Sequence, residues 1–218
     1  MFLTGSVHTI DLEGPALDES DAWRTPLGEV EVDRGLREAV GELAGFGVVD
    51  GAHRSEHALE VELPLMQVLW GEGLRIVPCM IPPSAGAPAW GEALGAKLAD
   101  WSEPVAVVVS SDLTHYGPNY GFAPRGVGEA GRRWALEEND RSLLSRVEAL
   151  DAAGALSEAM GNGSACGGGA IAATLAAARG LGAGAGYVLE HSDSTGELAA
   201  SGYDDPSNSV GYAAAVFG

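Results

Sequence analysis

The stretch Val105-Ala106-Val107-Val108-Val109-Ser110-Ser111-Asp112-Leu113-Thr114-His115-Tyr116-Gly117 decides how the rest of the chain is read. Its apolar half is β-branched and too short for a helix, which predicts a buried strand over Val105 to Ser111. Polar groups crowd the turn that follows. Beyond the carboxyl ends of such strands is where α/β sheets build their sites. Asp112 and His115, three residues apart in a tight turn, can face one cavity. Histidine titrates near neutrality and a carboxylate can orient it, so the pair suits acid/base or metal chemistry. The competing account is a turn in which Asp112 bonds local amides and His115 packs on Tyr116.

Working outward, the pattern alternates strands with helices. Phe2 to Val7, Leu74 to Ile81, Gly186 to His191 and Val210 to Phe217 read as strands. Asp33 can cap a helix through Phe46, and Ser55 one from Glu56 to Trp70 that Pro64 interrupts. Helices are also predicted over Ala87 to Trp101, over Gly128 to Leu150 with a break near Asn139, and over Gly167 to Leu181. Ala155 to Met160 adds a turn, and Asp11 to Val32 is loop with short strands. The expected architecture is α/β, one domain, around a largely parallel sheet.

Composition narrows the function classes. Asp and Glu number 31 against 12 Lys and Arg, a formal charge of −19. That argues against nucleic acid, whose binding needs cations to displace counterions, and against an anionic membrane surface. Arg132-Arg133 is the only adjacent basic pair and reads as a solvated helix face, so phosphopeptide binding is not expected. Hydrophobic residues make up 46% of the chain, enough to bury a core. No apolar run reaches the ~18 residues of a membrane span, and no secretory leader pattern occurs at the start. The cytoplasm is the expected compartment. The two cysteines, Cys79 and Cys166, are too few for a disulfide scaffold.

Further candidates lie at other strand ends. Cys166 precedes Gly167-Gly168-Gly169 at a helix start, where the dipole favours thiolate as metal ligand or nucleophile. A small buried cysteine in a turn is the plainer account. Cys79 falls inside a strand pattern and reads as inert core. His8 ends the first strand. His53 and His57 flank Glu56, and Glu56 and Glu60 share a helix face, which a solvated helix start explains. His191 has no partner nearby in sequence. A Cys/His/Asp set from three strand-end loops suits a transition metal better than magnesium or calcium.

The order of these blocks resembles one family. It runs Gly5-x-x-His8, Trp23-Arg24-Thr25-Pro26-Leu27-Gly28-Glu29-Val30, then Glu56-His57-x-Leu59-Glu60-Val61-x-Leu63-Pro64. Ile76-Val77-Pro78, Ser110-Ser111-Asp112-Leu113-x-His115-Tyr116, Cys166-Gly167 and Val210-Gly211-Tyr212-Ala213-Ala214 follow. Over nearly its whole length the chain resembles the Memo family, also called AmmeMemoRadiSam system protein B, related to class III extradiol dioxygenases. The resemblance implies a three-layer fold with a central, mostly parallel sheet. It implies His8 and Cys166 as metal ligands, and Asp112, His115 and His57 as residues of the pocket with catalytic roles. Fe(II) or Cu is the implied metal. The family's first metal histidine, in a Pro-His-Ala-Gly-Tyr-like segment, has no counterpart here. The resemblance therefore implies that residues 1–218 form a single domain lacking the family's N-terminal strand-helix portion, with an incomplete site. An unpaired sheet edge, which favours homo-oligomer formation, is the expected consequence.

Two functions follow as expectations. One is a metal-dependent, dioxygenase-like oxidoreductase acting on a small-molecule substrate. The other is a non-enzymatic protein that binds a small ligand or peptide in the same cleft.

Overall fold

A computed structural model describes residues 1–203 and 205–218. The elements run β1 (Phe2–Gly5), β2 (Ala16–Leu17), β3 (Ala22–Thr25), β4 (Gly28–Val32), α1 (Arg34–Gly41), β5 (Gly47–Val48), α2 (Leu63–Trp70) and β6 (Arg75–Met80). They continue with α3 (Ala87–Ala99), β7 (Val107–Ser110), β8 (His115–Tyr116), α4 (Glu129–Trp134), α5 (Arg141–Glu148) and α6 (Ala152–Asn162). The chain closes with α7 (Gly168–Gly180), β9 (Gly186–Asp193), α8 (Ser194–Leu198) and β10 (Ser209–Phe217).

The main sheet is seven-stranded, with a spine β3-β4-β6-β1-β7 and β2 and β5 set to the side. β1 is parallel to both β6 and β7, and β4 is parallel to β6, whereas β3–β4 and β2–β6 are antiparallel. The expected α/β class with a mostly parallel sheet is therefore observed. β8, β10 and β9 form a separate three-stranded sheet, antiparallel in both its pairings. β7 ends the spine, so its outer edge has no strand partner among the described residues. An apolar cleft of about 750 Å³ runs beside it, lined in part by Val107, Val109, Leu144, Ile171, Leu175 and Phe217.

Strand alternation splits the core into two layers of contact. Phe2, Val77 and Cys79 point to one face, where α1, α3, α5, α6 and α7 pack. Leu3, Ile76 and Met80 point to the other, against Leu59, Leu63 and Met66. Helices on both faces of the sheet give the three-layer arrangement. Cys79 lies in the first layer, fully buried, and burial pushes its thiol pKa far up, so it is inert core as expected.

α3 and α7 pack closely because small residues meet. A Cβ at Gly91 would fall 2.1 Å from the Ala173 carbonyl oxygen, and one at Gly95 would fall 2.7 Å from that of Ala177. Glycine is required at both positions.

Several boundaries differ from expectation for physical reasons. The helix predicted from Glu56 starts only at Leu63. Pro64 sits in its first turn, where its missing N–H costs nothing, and the preceding residues form turns. α1 stops at Gly41 rather than Phe46. The predicted turn at Ala155 to Met160 is a full helix, α6, because the Asp151 carboxylate accepts from the Gly154 N–H and caps it. The long helix from Gly128 is broken as expected: a π-helical segment, Ala135–Asp140, separates α4 from α5. Among the described residues, no helix is long and apolar enough to cross a membrane.

Candidate metal centre

The site gathers at the carboxyl ends of β1 and β7 and the amino end of α7. The loop before α7 is tied to the end of β7: the Cys166 N–H donates to the Asp112 carbonyl at 3.2 Å, and the Gly167 N–H to Ser111 Oγ at 2.9 Å. Ser6, just beyond β1, places its Oγ 3.4 Å from Cys166 Sγ. No side chain fits at 167, because a Cβ there would lie 2.5 Å from Ser6 Oγ and 2.6 Å from Ser111 Oγ. The thiol is thus held against both strand ends.

His115 and Asp112 meet as the sequence suggested, with His115 Nε2 3.2 Å from Asp112 Oδ2. The His115 ring also leans on Tyr120, 4.9 Å between centroids. One ligand atom from each of Asp112, His115 and Cys166 falls within 4.8 Å of the other two. Donors bound to one ion at ~2.0–2.3 Å stand roughly 3–4 Å apart, a spacing comparable to that of this set. Thiolate, imidazole and carboxylate together suit a first-row transition ion. The residues present therefore fit the implied group.

His8 is grouped not with Cys166 but in a second set with Glu56 and His57, whose ligand atoms also lie within 4.8 Å of one another. His8 and His57 stack, with centroids 5.0 Å apart and planes 14° from parallel. Glu56 is not the solvated helix residue the sequence suggested: its side chain is 0% exposed. Its Oε1 accepts from the His8 N–H (2.7 Å), the Thr9 N–H (2.7 Å) and the Thr9 hydroxyl (2.9 Å). Its Oε2 lies 2.9 Å from His8 Nδ1. Burial pushes this carboxyl pKa up, but the hydrogen bonds from His8 and Thr9 outweigh it and hold the group below the usual range. A cleft of about 670 Å³ opens beside His8, lined by Asp11, Leu12 and Pro82 among others.

Two residues outside the expected set, Asp140 and Arg132, make partly or fully buried polar contacts. Asp140, buried in the π-helical segment, accepts from the Thr114 N–H at 3.0 Å and from the Thr114 hydroxyl. Its Oδ2 lies 3.2 Å from Nε2 of His191. Burial raises the Asp140 pKa, and the contacts with Thr114 and His191 only partly oppose this. Arg132 is half of a largely buried ion pair rather than a solvated face: Nε and Nη2 each reach Asp193 at 2.7 Å. The partners of His191 and Arg132 lie 51 and 61 residues away. The break near Asn139 was the one local signal pointing to Asp140.

Comparison with known proteins agrees with the residue pattern. The sequence model described as Memo-like protein matches residues 1–216. A MEMO1 family protein of Methanopyrus kandleri is 34% identical, over 98% of this chain and 74% of its own length. One from Methanothermobacter thermautotrophicus is also 34% identical, over 94% and 69%. One from Methanosarcina barkeri is 32% identical, over 98% and 74%. Family match, relatives and architecture agree, and the chain belongs to the Memo-like protein family.

Proposed function

We propose that this protein binds a transition-metal ion, Fe(II) or Cu, at the strand-end pocket and serves as an oxidoreductase of the dioxygenase type on a small molecule. The observation that carries the reading is the sulfur, nitrogen and oxygen donor set of Cys166, His115 and Asp112 within 4.8 Å. Cys166 and His8 would hold the ion, with His115 and Asp112 as further donors. When bound, such an ion supplies a Lewis-acid and electron-transfer site for dioxygen and an oxygen-bearing substrate. In the protein's own part of the chemistry, His57, which is exposed and stacks on His8, would take or return a substrate proton. Asp112 orients His115 when the two are hydrogen-bonded. The excess of acidic groups favours cationic or neutral substrates over phosphates.

Anaerobic titration with Fe(II) and with Cu(I), followed by metal analysis, tests this. Near-stoichiometric uptake is expected, with affinity falling by at least about tenfold in Cys166→Ser and in His115→Ala. Equal affinity in parent and variants refutes the ligand assignment. Metal uptake without oxygen consumption on catechols would favour the binding-protein reading instead.

A further inference from the structure

We propose that Glu56 is a positioning residue that fixes His8 as the Nδ1–H tautomer and so leaves the His8 Nε2 lone pair free to bind a metal. This deepens the metal reading above and rests on it only for the consequence at the ion. A carboxylate whose side chain is 0% exposed is rare unless it is bonded on all sides. Glu56 meets that condition with contacts that all come from one short segment. Oε1 takes three donors, the N–H groups of His8 and Thr9 and the Thr9 hydroxyl. Only Oε2 is left for the His8 ring, at 2.9 Å from Nδ1.

The carboxylate accepts and cannot donate, so Nδ1 must carry the proton in this contact. In neutral imidazole the other nitrogen then holds the lone pair. Histidines that bind metals are commonly fixed in this way, with a carboxylate on the remote ring nitrogen. The same bonds hold the backbone of residues 8 and 9, so one buried group sets both the position of the ring and its tautomer. His57, stacked on the opposite side, limits rotation of the ring out of this plane.

The substitution Glu56→Gln separates this role from simple packing. The amide is isosteric, and its oxygen must take the Oε1 position to keep the three donors. Its NH₂ then faces Nδ1 and donates, which inverts the tautomer and places the proton on Nε2. The experiment is long-range ¹H–¹⁵N correlation on the metal-free protein at about pH 8, above the ordinary histidine pKa of ~6.5. The expected result is a protonated Nδ1 and an unprotonated Nε2 for His8 in the parent, exchanged in Glu56→Gln. Metal affinity should fall about 10–100-fold in the variant.

A parent His8 protonated on Nε2 overturns the proposal, as does a Glu56→Gln protein that keeps the parent tautomer. If Glu56→Gln fails to fold, the parent spectrum alone decides. If the parent binds no metal but the tautomer exchanges as described, the positioning role stands and the metal reading falls.

Discussion

Replacing Asp140 by alanine tests whether the loop that carries His115 is held from behind by a buried carboxylate. Asp140 is 1% exposed and accepts from the Thr114 N–H, the Thr114 hydroxyl and His191. At a net ~1 kcal/mol per hydrogen bond, removing these contacts costs about 3 kcal/mol. The Thr114 N–H is left buried without an acceptor, which adds to the loss. Relief of the carboxylate's desolvation, seen in its raised pKa, subtracts from it. The two corrections oppose each other, so about 3 kcal/mol is expected. For a chain of 218 residues that is a fall in Tm of roughly 6–12 °C. Asp140→Asn keeps an acceptor for Thr114 and should cost about 1 kcal/mol. Urea unfolding followed by circular dichroism reads both values. The reasoning is refuted if Asp140→Ala lies within ~0.5 kcal/mol of the parent, the range of an ordinary surface change. It is equally refuted if asparagine is as damaging as alanine.

Two further outcomes are expected. His53 is buried, which lowers its pKa from the ordinary 6.5 despite the Ala16 carbonyl and the nearby Asp18 and Glu56. As pH falls below 6.5 the unfolded chain takes the proton first, so stability contributed by neutral His53 is lost as pH drops toward the folded value; His53→Gln should flatten this acid slope in unfolding midpoints measured between about pH 7.5 and 5. Arg132→Met strands the Asp193 carboxylate, whose side chain is 3% exposed, and should cost about 3–5 kcal/mol, with part recovered when Asp193→Asn is added. Denaturant unfolding of the single and double variants checks the recovery.

What could be read from the sequence was whatever depends on neighbours along the chain. The valine run announced β7, the small-residue stretch announced α7, and the polar turn after Ser111 placed Asp112 beside His115. Cys166 at the entry to α7 was legible for the same reason. Glu56 looks solvated in the sequence because its partners come from a loop 48 residues earlier, and nothing beside it in the chain shows that loop. His191 lacked a partner only in the linear sense, since Asp140 reaches it across 51 positions. The start of α2 slipped because Ser55 is an acceptable cap by composition, while Pro64 has a stronger claim on the first turn. Residues joined by folding alone leave no periodic trace.

The contact between α3 and α7 has a consequence for how the protein can change over evolutionary time. Gly91 and Gly95 act as a thickness gauge, since any larger residue lifts α7 away from α3. At the other end of the same helix, a Cβ at Gly169 would sit 2.1 Å from the Pro82 carbonyl oxygen. α7 is thus seated by hard stops, and Cys166 stands at its leading tip. A methyl group added at one of these glycines would have to displace a neighbour of α7, the helix that follows Cys166. The tolerance of the pocket is therefore set partly by residues that never enter it.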